Sequence, residues 1–415
     1  MDVPRDTMYL KFRLYGFLKN LRFFDPFIIL FFREMGLSFL SIGLLFSIRE
    51  IATNVFEIPT GFIADSIGRR KSMIAAFVSY LISFSLFYLF PSFWMYAVAM
   101  ILFASGEAFR SGTHKAMILD YLRIKKIEHL KVEYYGRTRS ASQFGSAVSA
   151  LIAMPLVFHY GSYRIVFLAS MIPYVLELFL MISYPKYLDG EMVSRKGSWL
   201  ERTRSGFSAT WKDFRSMLTS RASLKAISNS AMFDAMFKSS KDYLQPILEA
   251  QALALPVLLY LSGQQRTAII VGMVYFFLYL LTSFASHSAG AFSRKVRSVT
   301  LAIDTTYLLG AIFLLVAGMS TTMDILPLAV VAFIFLYAIQ NLRRPMNVAY
   351  ISDKIPHRTM ASGLSVESQI KMTAVAIGAP IIGYMADNFG IGIALSITAL
   401  FFMALLLVLR VNRTG

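Results

Sequence analysis

The chain has 415 residues, 56% of them hydrophobic and only 16% charged, with a formal net charge of +17. Soluble domains average about 45–50% apolar and about 25% charged residues, so a string of soluble domains is excluded. The 14% of aromatic residues excludes a disordered chain, and the absence of cysteine removes disulfides, thiolate metal sites and a Cys nucleophile.

A bilayer-spanning helix needs about 20 mainly apolar residues, and about twelve such stretches follow one another here. In chain order they are 13–34, 40–63, 72–90, 93–121, 132–157, 163–185, 222–248, 265–290, 298–319, 324–350, 361–386 and 389–410. The first, fourth, seventh and tenth carry charges; the topology of their neighbours requires them to span all the same. Pro91-Ser92 joins the third and fourth spans, and the segment around Asn388 joins the last two. One connection is long. Lys186 to Arg221 divides the chain into a bundle at 1–185, a linker at 186–221 and a second bundle at 222–415. Within the linker, Phe207, Trp211, Phe214 and Leu218 have the spacing of an amphipathic helix, expected to lie on the membrane face.

Loop charge sets the orientation. With the N-terminus inside, the inner segments hold Arg5, Lys11, Arg69, Arg70, Lys71, Arg123, Lys125, Lys126 and Lys131. The linker, Arg294, Lys295, Arg297, Lys354, Arg358, Arg410 and Arg413 add to that side. The outer loops hold only Arg33, Arg164 and Arg266. This is the positive-inside pattern of a multi-pass protein of the cell (inner) membrane with both termini cytoplasmic. Met1–Lys11 runs into the first span with no cleavage site of a signal peptide. Basic residues spread over one membrane side also argue against nucleic-acid binding; they face anionic lipids instead.

After the second span the chain reads Gly61-Phe62-Ile63-Ala64-Asp65-Ser66-Ile67-Gly68-Arg69-Arg70-Lys71. This resembles the signature loop of the major facilitator superfamily, G-x-x-x-D-x-x-G-R-[RK]-[RK], and it lies where that family places it. The resemblance implies an all-α membrane protein of twelve transmembrane helices in two pseudo-symmetric six-helix bundles. It also implies that Gly61, Asp65, Gly68, Arg69 and Arg70 form a conformational latch rather than a substrate site. An echo after the eighth span, Gly290-Ala291-Phe292-Ser293-Arg294-Lys295, has Arg294 where Asp65 would stand. A second echo, Gly383 to Gly390 with Asp387 inside it, repeats the spacing at the outer end of the eleventh span. The Gly-Pro motif usual in span five of proton-driven drug antiporters is missing, since Gly145 and Pro155 stand far apart.

In the superfamily the first, fourth, seventh and tenth spans line a central cavity, and those are the spans loaded with charge here. Ionisable residues within a bilayer are expensive and mark functional sites by default. Lys19, Arg22 and Asp25 fall at i, i+3 and i+6, which predicts one broad helical face. Glu107, Arg110 and His114 form a stripe in the fourth span, with Lys115 beside it and Asp120 near the inner end. The seventh span has Asp234, Lys238, Lys241 and Asp242; the tenth has Gln340, Arg343, Arg344 and Asn347. Same-helix pairs are available: Glu107 with Arg110, Asp234 with Lys238, and Glu367 with Lys371. The basic residues Lys19, Arg22, Arg110, Lys115, Lys238, Lys241, Arg343 and Arg344 outnumber the acids of these four spans. Glu50, Glu57, Glu177 and Asp304 are the counter-charges available elsewhere. An unbalanced cavity favours an organic anion or a zwitterion as substrate. Candidates for proton coupling are Glu57, Glu107, His114 and Asp234.

No Walker A, H-E-x-x-H or G-x-S-x-G pattern occurs, so neither an ATP-driven pump nor an enzyme is indicated, and no cofactor, metal site or catalytic residue is expected. The expected function is secondary active transport of a small solute by alternating access, coupled to an ion gradient. The partners are the substrate, membrane lipids and protons, with no nucleic acid, and the expected state is a monomer. Proton-coupled drug efflux is the alternative within transport. A membrane sensor or partner-binding protein on the same scaffold is the alternative outside it.

Overall fold

The computed structural model describes residues 6–189, 221–295, 298–354 and 360–411. The predicted linker helix at Phe207–Leu218 lies outside the described residues. Among the described residues every regular element is helical.

The first predicted span consists of two helices, α1 (Thr7–Leu18) and α2 (Ile28–Glu34). α3 (Phe39–Ile67) and α4 (Arg69–Leu89) are the second and third. The fourth divides into α5 (Phe93–Arg110) and α6 (Thr113–Ile124). α7 (Lys131–Tyr160) and α8 (Ile165–Ile182) follow, and the seventh span divides into α9 (Arg221–Ser240) and α10 (Leu244–Ala254). The last five are α11 (Gly263–Lys295), α12 (Val299–Thr322), α13 (Leu326–Lys354), α14 (Met360–Phe389) and α15 (Ile391–Leu409). Eight of these helices contain stretches long and apolar enough to cross a membrane, from Phe39–Glu57 to Ile391–Leu409. The three broken spans and α14 are the remaining four, so twelve predicted passes are consistent with the structure.

The three breaks have local causes. In the first span, Asp25 precedes Pro26, and a residue before proline is steered away from the α conformation. Proline also lacks the N–H that would continue the ladder. The chain leaves α1 at Leu18, turns, and restarts through a 3-10 helix at Asp25–Phe27. In the fourth span, Gly112 takes φ +75°, a left-handed backbone that only glycine adopts cheaply. In the seventh, Pro246 stands in the first turn of α10, where its ring would clash with the carbonyl of Asp242 in a continuous helix. A 3-10 turn at Lys241–Tyr243 fills the gap. Non-helical backbone at membrane depth survives only where other groups take over its hydrogen bonds. Tyr174 of α8 donates its hydroxyl to the Lys19 carbonyl (3.4 Å), and Tyr337 of α13 does the same for Lys241 (3.4 Å).

These breaks correct two expectations. Lys19, Arg22 and Asp25 do not share a helical face; they sit in the irregular segment that separates α1 from α2. His114 likewise belongs to a new helix, α6, rather than continuing the stripe of Glu107 and Arg110.

The chain groups into two compact units. One is Met1–Phe27, Ile51–Gly206 and Gly272–Tyr279; the other is Ile28–Glu50, Phe207–Val271 and Leu280–Gly415. In the first, α1 packs on α7 and α8, and α4 packs on α5 and α8. Phe12, Tyr80, Phe84, Tyr96 and Tyr174 fill the space between them and are essentially inaccessible. In the second, α12 packs on α13 and α15, and α9 packs on α14.

The first half of α3, up to Glu50, belongs to the second unit, against α14. A Cβ on Gly43 would come 2.4 Å from the Ala379 carbonyl oxygen, and one on Gly383 would come 2.3 Å from that of Phe39. Small residues that admit such close approach are the usual device for helix association in membranes. Asp387, the acid of the second echo motif, accepts hydrogen bonds from the Phe39 and Leu40 amides at 2.9 and 2.7 Å. It thereby supplies partners to the orphan donors at the α3 N-terminus, where its charge also suits the helix dipole.

Candidate functional site

Each unit builds its own charged cluster. In the first unit the centre is Glu107, in the last turn of α5. Arg22 reaches its Oε1 and Arg110 its Oε2, both at 2.5 Å. The Tyr80 hydroxyl donates to Oε1 at 2.7 Å and receives the Arg110 Nε at 3.1 Å. The Arg22 Nε donates to the Tyr174 hydroxyl at 3.1 Å, and its guanidinium lies 5.6 Å from the Phe103 ring centre. The Glu107–Arg110 pair is the one the spacing predicts. The Arg22–Glu107 bridge joins residues 85 apart and depends on the break that frees Arg22 from α1.

Lys19 completes this group. Its ammonium lies 5.6 Å from the centre of the Tyr15 ring. Tyr15 stacks on His114 with ring centres 3.5 Å apart, and the His114 Nε2 lies 3.3 Å from the Tyr184 hydroxyl. Lys115, one residue on, points outward and is exposed. Glu57 sits half-buried in the second half of α3.

In the second unit the predicted charges separate into four groups. Lys238 does not pair with Asp234, one turn away; it bridges to Glu50 of α3 at 2.6 Å, and Arg49 meets the other oxygen of Glu50 at 3.1 Å. Lys241 pairs with its neighbour Asp242 at 2.5 Å. Arg343 is fully buried, donating to the Ile303 carbonyl, to Asn229 and to Thr306, with the Phe233 and Tyr307 rings on either side. Arg344, adjacent in sequence, is exposed.

Arg344 lines a small cavity of about 180 Å³ with Ser230, Asp234, Asn347, Glu367 and Lys371. Gln340 donates to Asp234 at 2.9 Å, Ser230 donates to Glu367, and Asn347 donates to Ser230 at 3.0 Å. Three helices, α9, α13 and α14, thus bring two cations, two carboxylates and three neutral polar groups (Ser230, Asn347 and Ser368) to one space. The predicted Glu367–Lys371 pair is present only in the sense that both line this wall.

The signature loop is anchored within the first unit. Gly68 adopts φ +98° and opens α4. The Arg70 amide donates to Asp189 at 2.8 Å, and Arg69 pairs with Asp120. Gly61 lies on α3 with open space where a side chain would project. The side chain of Asp65 lies outside the described residues. Asp189 had no sequence signal, because it belongs to a turn about 120 residues downstream of the loop it holds.

Comparison with known proteins agrees with this architecture. A family profile described as Major Facilitator Superfamily matches residues 20–368. An uncharacterized MFS-type transporter, YxaM, from Bacillus subtilis (strain 168) is 32% identical over 90 residues. That match spans 22% of this chain and 23% of the relative. Among solved structures, the nucleoside transporter NupG superposes with a TM-score of 0.75 at 12% identity, covering 99% of this chain and 100% of that one. The D-xylose-proton symporter gives 0.73 at 15% identity over 97% and 96% of the two chains. A POT family transporter in complex with 5-aminolevulinic acid gives 0.71 at 14% over 98% and 95%. At such identities the likeness concerns the fold: all-α, twelve membrane helices in two six-helix bundles.

Proposed function

The chain belongs to the Major Facilitator Superfamily, a family of transporters rather than enzymes, and from that premise we propose that it is a secondary active transporter of a small organic anion or zwitterion. It works by alternating access, is driven by an ion gradient, and sits in the cell membrane with both termini cytoplasmic and bundles at 1–185 and 222–415. The observation that carries the substrate class is the mixed-charge cavity on α9, α13 and α14. Arg344 and Lys371 are placed for a carboxylate or phosphonate, and Asp234 and Glu367 for an ammonium group. Its volume of about 180 Å³ lies below the roughly 300–1,000 Å³ typical of drug-sized ligands, which favours a small solute. Arg22 and Arg110, held through Glu107, and Lys19 on the Tyr15 ring offer a second cationic group in the first unit. An exporter of lipophilic cations would need net acid in these clusters, and neither has it.

A thermal-shift titration of the purified protein with amino-acid-like zwitterions, dicarboxylates and lipophilic cations tests this. A ligand at 100 times its Kd stabilises by about 2.7 kcal/mol. The expected result is stabilisation by zwitterions that disappears in Arg344→Ala and in Asp234→Asn. Stabilisation by lipophilic cations alone would contradict the proposal.

A further inference from the structure

α8 is one of the helices apolar enough to cross a membrane, and its surface carries a groove of about 560 Å³. Leu168, Met171, Val175 and Leu176 line it from α8, and Leu156 and Tyr160 from α7; no charged residue enters the lining. Leu168 and Leu176 are 40% and 50% exposed, so this face meets the bilayer rather than another helix of the chain. Along α8 the groove runs from Ile165 to Leu176. At 1.5 Å per residue that is about 16 Å, close to half of a hydrocarbon core about 30 Å thick. The groove is therefore one leaflet deep, the reach of a single acyl chain.

A cation stands at its head. Arg164, Leu168, Met171 and Val175 fall at i, i+4, i+7 and i+11, on one helical stripe. Side chains on a helix lean toward its N-terminus, which carries the guanidinium past the end of the groove to the level of the headgroups. Tyr88 of α4 seats it, with 5.2 Å from the guanidinium to the ring centre. One turn earlier on α4, Ser85 meets the Met171 sulfur at 3.9 Å, so the stripe follows α4 along its length. Among the described residues Arg164 has no ion pair, and its Nε is buried without a hydrogen-bond partner. The other two cations that loop charge assigns to this side are committed: Arg33 donates to the Leu37 carbonyl at 2.9 Å, and Arg266 to the Leu253 and Leu255 carbonyls. A helix laid in the groove would leave Arg164 without an anion, and a free phosphate would leave the groove uncovered. An anionic phospholipid answers both with one molecule.

We propose that this face of α8 binds one anionic phospholipid, its phosphate on Arg164 and one acyl chain along the groove toward Leu176. Arginine suits the phosphate because its fork donates two parallel hydrogen bonds. The site is independent of which solute the protein moves. Native mass spectrometry of the full chain, mixed with equal amounts of phosphatidylglycerol and phosphatidylcholine of matched chains, tests it. In phosphatidylcholine the phosphate is already balanced by the lipid's own trimethylammonium group. The wild type should retain one phosphatidylglycerol with a preference of roughly fivefold, the factor expected of a single cation at a membrane surface. Arg164→Gln should lose the preference and keep the wild-type melting temperature in lipid-free detergent, and Arg164→Lys should retain most of it. Leu168→Trp, which fills the groove, should weaken retention of both lipids. A wild type without the preference, or an Arg164→Gln protein that keeps it, would overturn the proposal. Unchanged retention in Leu168→Trp would overturn it on its own, whether or not Arg164→Gln folds. Glycerol phosphate bound as tightly as the lipid would assign Arg164 to a soluble anion instead, and a dimer that Leu168→Trp separates would assign the groove to a second copy of the chain; either result contradicts the lipid site.

Discussion

Glu107→Ala is expected to abolish solute movement and to lower the melting temperature markedly. The carboxylate holds two guanidinium groups at 2.5 Å and one tyrosine hydroxyl at 2.7 Å. Removing it leaves Arg22 and Arg110 facing each other with Lys19 nearby. Breaking a buried pair by deleting one partner costs roughly 3–5 kcal/mol. The three side chains keep 18–24% of their surface accessible, which places this case at the low end of that range. The effect on transport should exceed the effect on stability, because Arg22 sits in irregular backbone with little but this bridge and Tyr174 to orient it. Adding Arg22→Ala to Glu107→Ala should recover part of the lost stability, as residues in one network are not additive, but none of the transport. Thermal melts and flux assays on the single and double variants check both statements; wild-type flux in Glu107→Ala would refute them.

Glu50→Ala should lower stability by a similar amount. Its side chain is 2% accessible and bridges Lys238 at 2.6 Å and Arg49 at 3.1 Å. Deleting it leaves the Lys238 and Arg49 cations, 32% and 19% accessible, without their carboxylate, again at the low end of roughly 3–5 kcal/mol. Lys238→Met together with Glu50→Gln should be much closer to wild type than Glu50→Ala, since removing both members of a buried pair is often nearly neutral. Asp234→Asn should leave the melting temperature close to wild type, because Lys238 does not depend on Asp234. Had the one-turn spacing decided the partner, Asp234→Asn would be the damaging change and Glu50→Ala the mild one. Melting curves of the three variants separate the two cases.

The membrane passes were legible from the sequence because hydropathy and loop charge are one-dimensional signals. The short-range pair Glu107–Arg110 was legible for the same reason: i, i+3 neighbours meet on any helix. What spacing could not reveal was a partner on another helix. Lys238 meets Glu50 across 188 residues, and Arg22 meets Glu107 across 85. The breaks were signalled in part by Pro26 and Pro246, but reading each span as one continuous helix put Lys19, Arg22 and Asp25 on a face that does not exist. Arg343 and Arg344 show the opposite limit. They are adjacent and chemically identical, yet successive helical positions point about 100° apart, so one is sealed among Phe233, Tyr307 and Asn229 while the other reaches the cavity. The echo motif around Asp387 was visible as a pattern, but its role as a cap on α3 appears only in three dimensions.

The most direct test of the account is solute flux in proteoliposomes that contain only the purified protein. With an inward proton gradient imposed, labelled amino-acid-like zwitterions should accumulate above their equilibrium level. That accumulation should vanish in Arg22→Ala, Arg110→Ala and Arg344→Ala and should persist in Lys115→Ala, whose side chain is exposed and outside the clusters. Transport of lipophilic cations alone, or no movement of any solute under any imposed gradient, would contradict it.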